Sequence, residues 1–130
     1  MKKTLIITAA FFALTAVILG AMGAHALENS LSASSLISYK TAVRYQMWHA
    51  LALLIFALSQ YKLTPLKWVF ILWVLGVLLF SGSIYLLSTQ QATGLSLSFL
   101  GPVTPLGGAL LIAGWILLIV KVVKGHIFVE

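Results

Sequence analysis

The sequence contains no cysteine and no aspartate, and its two acids are Glu28 and Glu130. Without cysteine, a disulfide scaffold, thiolate metal sites, iron–sulfur clusters and a cysteine nucleophile are all excluded. With a single internal glutamate, acid–base catalysis by paired carboxylates is excluded too. No Ser–His–acid set assembles either, because Glu28 borders His25 rather than orienting a second histidine. No phosphate-binding loop follows a strand. No carboxylate sits in the middle of an apolar run, where cation transport would need one. The chain is therefore expected not to be an enzyme, and no cofactor or metal is assigned to it.

Charge is scarce as well. Charged residues make up 8% of the chain, where a soluble domain carries roughly a quarter. Apolar residues make up 62%, and the mean hydropathy is +1.11, far too high for disorder. A chain of 130 residues is one domain. These figures together describe an integral membrane protein. The formal charge of +6 does not signal nucleic acid, because the bases stand singly or in pairs between long apolar runs.

About 20 apolar residues cross a bilayer core, and four segments qualify. They are 4–27, 41–61, 66–87 and 105–123, which predicts an all-α, four-span bundle formed by residues 1–130 as a single domain. Pro65 stands where a proline suits the first turn of a helix. An even number of spans puts both termini and the second loop on one side. That side carries Lys2, Lys3, Lys62, Lys67, Lys121 and Lys124, against Lys40 and Arg44 on the other, which predicts both termini in the cytoplasm. The last loop, 88–104, has no charge and suits the translocated side. One competing reading treats Met1-Lys2-Lys3, the apolar run and Ala24-His25-Ala26 as a cleaved signal peptide. The uncharged run is long for a signal peptide and right for a full span, so an uncleaved first helix is the expectation.

Ala9, Ala13, Ala16, Gly20 and Ala24 form a stripe of small residues on the first helix, widened by Gly23. Such a stripe admits a close neighbouring backbone, here expected to be another helix of the same bundle rather than a second copy. The polar residues within the spans are distributed unevenly. Tyr45, Gln46 and His49 share a helical face through spacings of three and four. His25 closes the first helix, and the third delivers Ser81, Gly82, Ser83 and Tyr85 to the same layer. Counted from the expected span boundaries, this cluster lies in the outer half of the membrane.

Two readings compete for His25, Tyr45, Gln46, His49, Ser81 and Tyr85. In one, they hydrogen-bond one another and nearby carbonyls, holding the bundle together. In the other, they line a pocket for a lipid, quinone or haem, since ionisable residues inside a membrane default to a functional hypothesis. The residues favour the structural network. Arg44 and Trp48 read as an interfacial pair, with Glu28 as a salt-bridge partner for Arg44. Trp68, Trp73 and Trp115 read as belt or packing residues, and His126 has no identifiable partner.

Four stretches taken in order carry a resemblance. They are LGAMGAHAL at 19–27, RYQMWHALA at 44–52, LFSGSIY at 79–85, and VTPLGG at 103–108 leading to AGW at 113–115. Together they resemble the YgdD-like family of small four-span inner-membrane proteins, whose eukaryotic relatives are called transmembrane protein 256. Met22 departs from the aromatic residue expected there, which touches packing and no chemistry. The resemblance implies a multi-pass protein of the inner membrane with its first helix retained, and it implies no activity. The expected role is a small accessory or interaction subunit, with binding of a small apolar ligand at the polar cluster as the alternative. The expected partners are membrane lipids and either another membrane protein or a second copy of the chain, not nucleic acid.

Overall fold

A computed structural model describes residues 1–60 and 63–127. Among the described residues it contains four long helices and no strand. They are α1 (Lys2–Ala24), α2 (Ala33–Leu58), α3 (Lys67–Thr93) and α4 (Val103–Val123), with 3-10 turns at Thr64–Leu66 and Ser98–Leu100. All four are long and apolar enough to cross a membrane. The shortest, of 21 residues, spans about 32 Å at 1.5 Å per residue, and the hydrocarbon core is about 30 Å thick.

The helix boundaries differ from the hydropathy boundaries for local reasons. The second helix begins at Ala33 rather than at 41, because Ser32 caps it: the Ser32 hydroxyl accepts the Ser35 N–H at 3.2 Å. Hydropathy cannot see a serine-rich first turn that a cap makes helical. The third helix runs past 87 to Thr93, where Gly94 at φ +70° takes the left-handed C-cap. The first helix ends at Ala24, leaving His25 as its cap residue. Pro65 falls inside the 3-10 turn that leads into α3. The expected end of the second span at Tyr61, and the topology cation Lys62, lie outside the described residues.

Each helix packs chiefly on its neighbours in sequence: α1 on α2, α2 on α3, α3 on α4. The start of α1, the end of α2, the start of α3 and the end of α4 therefore lie at one end, which we call the termini end, and the 25–32 and 94–102 connections at the other. The core is built from Ala50, Leu53 and Ala57 of α2, Val69, Trp73 and Val77 of α3, Leu5, Ala9 and Phe12 of α1, and Leu111 of α4. Trp73 is wholly buried. Large apolar side chains such as Phe11, Leu14, Val17, Ile112, Ile116 and Ile119 point outward, as they do where the surrounding solvent is lipid.

The small residues of α1 serve the α1–α2 seam, as expected for packing inside the bundle. Ala9, Ala16 and Gly23 are buried, and a side chain added at Gly20 would meet Val43 of α2. The α3–α4 seam is tighter. A Cβ on Gly107 would strike the Phe80 backbone nitrogen, and one on Gly114 would strike the Trp73 ring. Only glycine lets the two backbones approach that closely.

Candidate functional site: a polar layer at mid-bundle

Gln46 lies at the middle of α2, and its side-chain amide is fully committed. Nε2 donates to the Phe12 carbonyl at 2.9 Å and to Thr15 Oγ1 at 2.7 Å, both on α1. Oε1 accepts the Tyr85 hydroxyl of α3 at 3.0 Å. One side chain thus ties three helices. One turn earlier on α2, the Ala42 carbonyl accepts the Ser81 hydroxyl of α3 at 2.8 Å. A further turn towards the 25–32 connection, the Tyr39 hydroxyl donates to the Leu19 carbonyl of α1 at 2.9 Å. The Tyr39 and Tyr85 rings lie 5.1 Å apart.

His49 faces α3 and α4. Its Nδ1 lies 2.8 Å from the Tyr45 carbonyl, and its Nε2 lies 3.1 Å from the Trp115 indole Nε1. A carbonyl only accepts and an indole N–H only donates, so Nδ1 carries the proton and Nε2 offers its lone pair. The imidazole is neutral, with both nitrogens occupied. Trp73 packs against it at 5.5 Å and Trp115 at 5.9 Å, with the two indoles 4.5 Å apart. Phe56 stacks on Trp73 at 5.5 Å. The Trp73 indole N–H is the one buried side-chain polar atom among the described residues that lacks a partner. Ser83 and Thr104 bond across the α3–α4 seam at 2.6 Å.

The expected cluster therefore forms in part. Gln46 and Tyr85 are bonded directly, Ser81 joins them through Ala42, and Tyr45 and His49 continue the same helix. Tyr45 itself joins through ring contacts, lying 4.9 Å from Phe80 and 5.1 Å from Trp48. His25 does not join. It is exposed at the C-cap of α1, ten residues beyond Thr15, which is about 15 Å along the helix. The paired-histidine axis required by a haem is thus not assembled. Gln46 and His49 also serve different neighbours, because a spacing of three rotates the second residue by about 60° on the helix.

The depth of the layer differs from the sequence expectation. Thr15, Gln46, Ser81 and Trp115 lie near the midpoints of their helices, not near the end that bears the 25–32 connection. Starting α2 at Ala33 carries His49 well past its first two turns. The expected ion pair is absent too: among the described residues, Arg44 and Glu28 form none, and both are exposed. Glu28 follows the end of α1, whereas Arg44 lies three turns into α2.

Sequence reasoning missed Thr15, Tyr39 and Trp115. The first two had signals. Thr15 is the one hydroxyl between Ala9 and Leu27, and Tyr39, Ala42, Gln46, His49 and Leu53 recur at spacings of three and four. Trp115 had only its indole N–H, which needs an acceptor when it is turned inward. Chemically, Gln46, Tyr85, Ser81 and His49 are neutral groups already bonded within the bundle. Among the described residues no group of three metal-capable side chains exists.

Comparison with known proteins finds relatives of this sequence. Residues 19–108 match the family described as "Protein of unknown function (DUF423)". The UPF0382 membrane protein YwdK of Bacillus subtilis is 43% identical over 125 residues, covering 94% of this chain and 98% of that protein. The UPF0382 membrane protein SSP2132 of Staphylococcus saprophyticus is 42% identical, over 94% of this chain and 98% of its own length. A UPF0382 membrane protein of Haemophilus influenzae is 37% identical, over 87% of this chain and 86% of its own. No solved structure matches.

Proposed function

The chain belongs to the DUF423 family of membrane proteins, and from that premise we propose that it is a non-catalytic accessory or interaction subunit of the cytoplasmic (inner) membrane. One observation carries this reading: both nitrogens of His49 and both ends of the Gln46 amide are bonded inside the bundle. Groups so engaged hold four helices in register, and neither His49 nor Gln46 is left free to act as a base or a ligand. Each interhelical bond is worth about 0.6 kcal/mol on average, so the set adds stability and a unique packing. The resemblance to the YgdD-like and transmembrane protein 256 proteins rests on the four ordered sequence motifs and belongs to the same reading.

The orientation follows from charge. Lys2, Lys3, Lys67, Lys121 and Lys124 lie at the termini end, and Lys40 and Arg44 nearer the other. The excess supports cytoplasmic termini, and a C-terminal reporter active only outside the cytoplasm would contradict this if it lit up.

The role itself is tested with His49→Ala and Gln46→Ala in protein extracted gently from its own membranes and weighed intact. The expected result is reduced abundance of both variants, with the parent carrying a second polypeptide or a second copy at fixed ratio. A variant that stays abundant while losing a bound small molecule would overturn this reading in favour of a ligand site at the layer.

A further inference from the structure

Where the first turns of α2 meet the last turns of α3 and the start of α4, a cavity of about 440 Å³ opens, distinct from the polar layer. Hydroxyls dominate its polar lining: Ser34, Ser38 and Thr41 of α2, Ser88 of α3 and Thr104 of α4. No charged side chain lines it. Ile37, Ile84 and Leu87 supply an apolar wall.

Most of these hydroxyls are committed elsewhere. Thr41 donates to the Ile37 carbonyl, Thr104 bonds Ser83, and Ser34 lies within the cap cluster of Ser32. Ser38 and Ser88 make no hydrogen bond among the described residues. Ser88 is the informative one, because it is only 5% exposed and lines the cavity. Every other serine of α3, Ser81 and Ser83, has found a protein acceptor. Its oxygen opens to the cavity and is not sealed in the core, so an occupant there can accept the hydrogen bond that no protein group accepts.

Depth narrows the occupant. A 26-residue α2 spans about 39 Å, longer than the roughly 30 Å hydrocarbon core, so its first turns reach the interface. Molecules at that level carry carbonyl oxygens above a hydrocarbon tail. An ionic group inside the cavity would find no countercharge among its lining residues.

We propose that this cavity binds an uncharged amphipath, whose carbonyl oxygens accept hydrogen bonds from Ser38 and Ser88 and whose tail lies along Ile37, Ile84 and Leu87. Two sources share this chemistry: the ester carbonyls of a glycerolipid and the ring carbonyls of a long-chain quinone. The volume falls within the range of small-molecule sites, about 300–1,000 Å³. The inference does not rest on the accessory-subunit reading, since the cavity shares no residue with the Gln46–His49 layer.

The test uses the full chain, stripped of lipid in detergent and titrated with dioleoylglycerol, with a decyl-substituted benzoquinone, and with hexadecane as a tail lacking carbonyls, read by intact-complex mass spectrometry. One molecule of dioleoylglycerol or of the quinone should bind per chain, and hexadecane should not. Whichever binds identifies the source. Affinity should fall about tenfold in the Ser38→Ala/Ser88→Ala protein, the scale of two lost hydrogen bonds. Ser38→Trp, which plugs the mouth, should abolish binding. Failure of both carbonyl ligands to bind, or equal binding by hexadecane, overturns the proposal. Undiminished binding in the double alanine protein overturns it equally, and that variant removes only two hydroxyls should Ser38→Trp fail to fold. A bound mass lost with His49→Ala but kept in the double alanine protein would instead overturn the reading of the polar layer as structural glue, so the two failures are distinguishable.

Discussion

The α1–α2 seam and the α3–α4 seam join helices of similar length by different means. Between α3 and α4 the backbones nearly touch, because Gly107 sits on Phe80 and Gly114 on Trp73. Among the described residues a single side-chain pair, Ser83 with Thr104, bonds across it. Between α1 and α2 the small residues are mostly alanine, the tight glycine, Gly23, lies under the Tyr39 ring and not on backbone, and hydrogen bonds take over through Gln46 and Tyr39. In lipid the hydrophobic effect does not drive helices together, so a seam needs close van der Waals contact or polar bonds. This chain uses one strategy on each side of α2 and α3.

If that contrast is right, the glycine seam should be the less forgiving. Gly107→Ala places a Cβ against the Phe80 nitrogen and 2.7 Å from the Leu79 carbonyl carbon. Both are backbone atoms and cannot swing aside, so the helices must part. The expected loss is about 3 kcal/mol, visible as a large drop in the denaturant midpoint of the detergent-solubilised protein. An unchanged midpoint would mean that the seam is softer than its geometry.

On the other seam, Gln46→Leu should cost about 1–2 kcal/mol, because it strands the Tyr85 hydroxyl while Thr15 keeps its own bond to the Phe11 carbonyl. A double-mutant cycle with Tyr85→Phe isolates the pair, and a coupling near 0.6 kcal/mol is expected. Strict additivity of the two substitutions would deny that this bond matters.

The same contrast explains what the sequence made legible. The count of helices and their membrane character follow from long runs without charge, a signal that no tertiary detail overrides. Gln46, Tyr85 and Ser81 stood out because a polar group inside an apolar run must find a partner. The partners did not stand out: Phe12, Leu19 and Ala42 contribute backbone carbonyls, which carry no mark in the side-chain sequence. The depth of the layer was misplaced because one capping serine, Ser32, adds two turns to α2 that hydropathy reads as loop. Gly107 fell inside the expected fourth span, but only the rotation of α4 sets it against α3. Which face a helix turns inward is a property of the assembled bundle.

Trp115→Phe probes the one side-chain bond that joins α2 directly to α4 among the described residues. Phenylalanine keeps an aromatic ring beside Trp73 but removes the indole N–H and one ring's bulk; Trp115 is half-exposed, so the expected loss is small, about 0.6–1 kcal/mol. The specific consequence lies at His49, whose Nε2 loses its donor. Nitrogen NMR of the imidazole should show the Nε2 signal moving to that of an unbonded lone pair, with Nδ1 still protonated. An unmoved Nε2 signal would reject the tautomer assigned by the two bonds.

The smallest effect is predicted at Gly20, and it is the sharpest control on the contrast between the seams. A Cβ there meets one atom, Val43 Cγ1, at 3.3 Å, a methyl that a few tenths of an ångström would relieve. Replacing glycine by alanine inside a helix favours the helix by roughly 0.8–1 kcal/mol. The contact penalty and this gain oppose each other, so Gly20→Ala should change stability by no more than about 0.5 kcal/mol. The same chemical change at Gly107 should cost several times as much. A large loss at Gly20 would show that α1 and α2 also depend on backbone proximity, and the division of labour between glycine and hydrogen bonds would collapse.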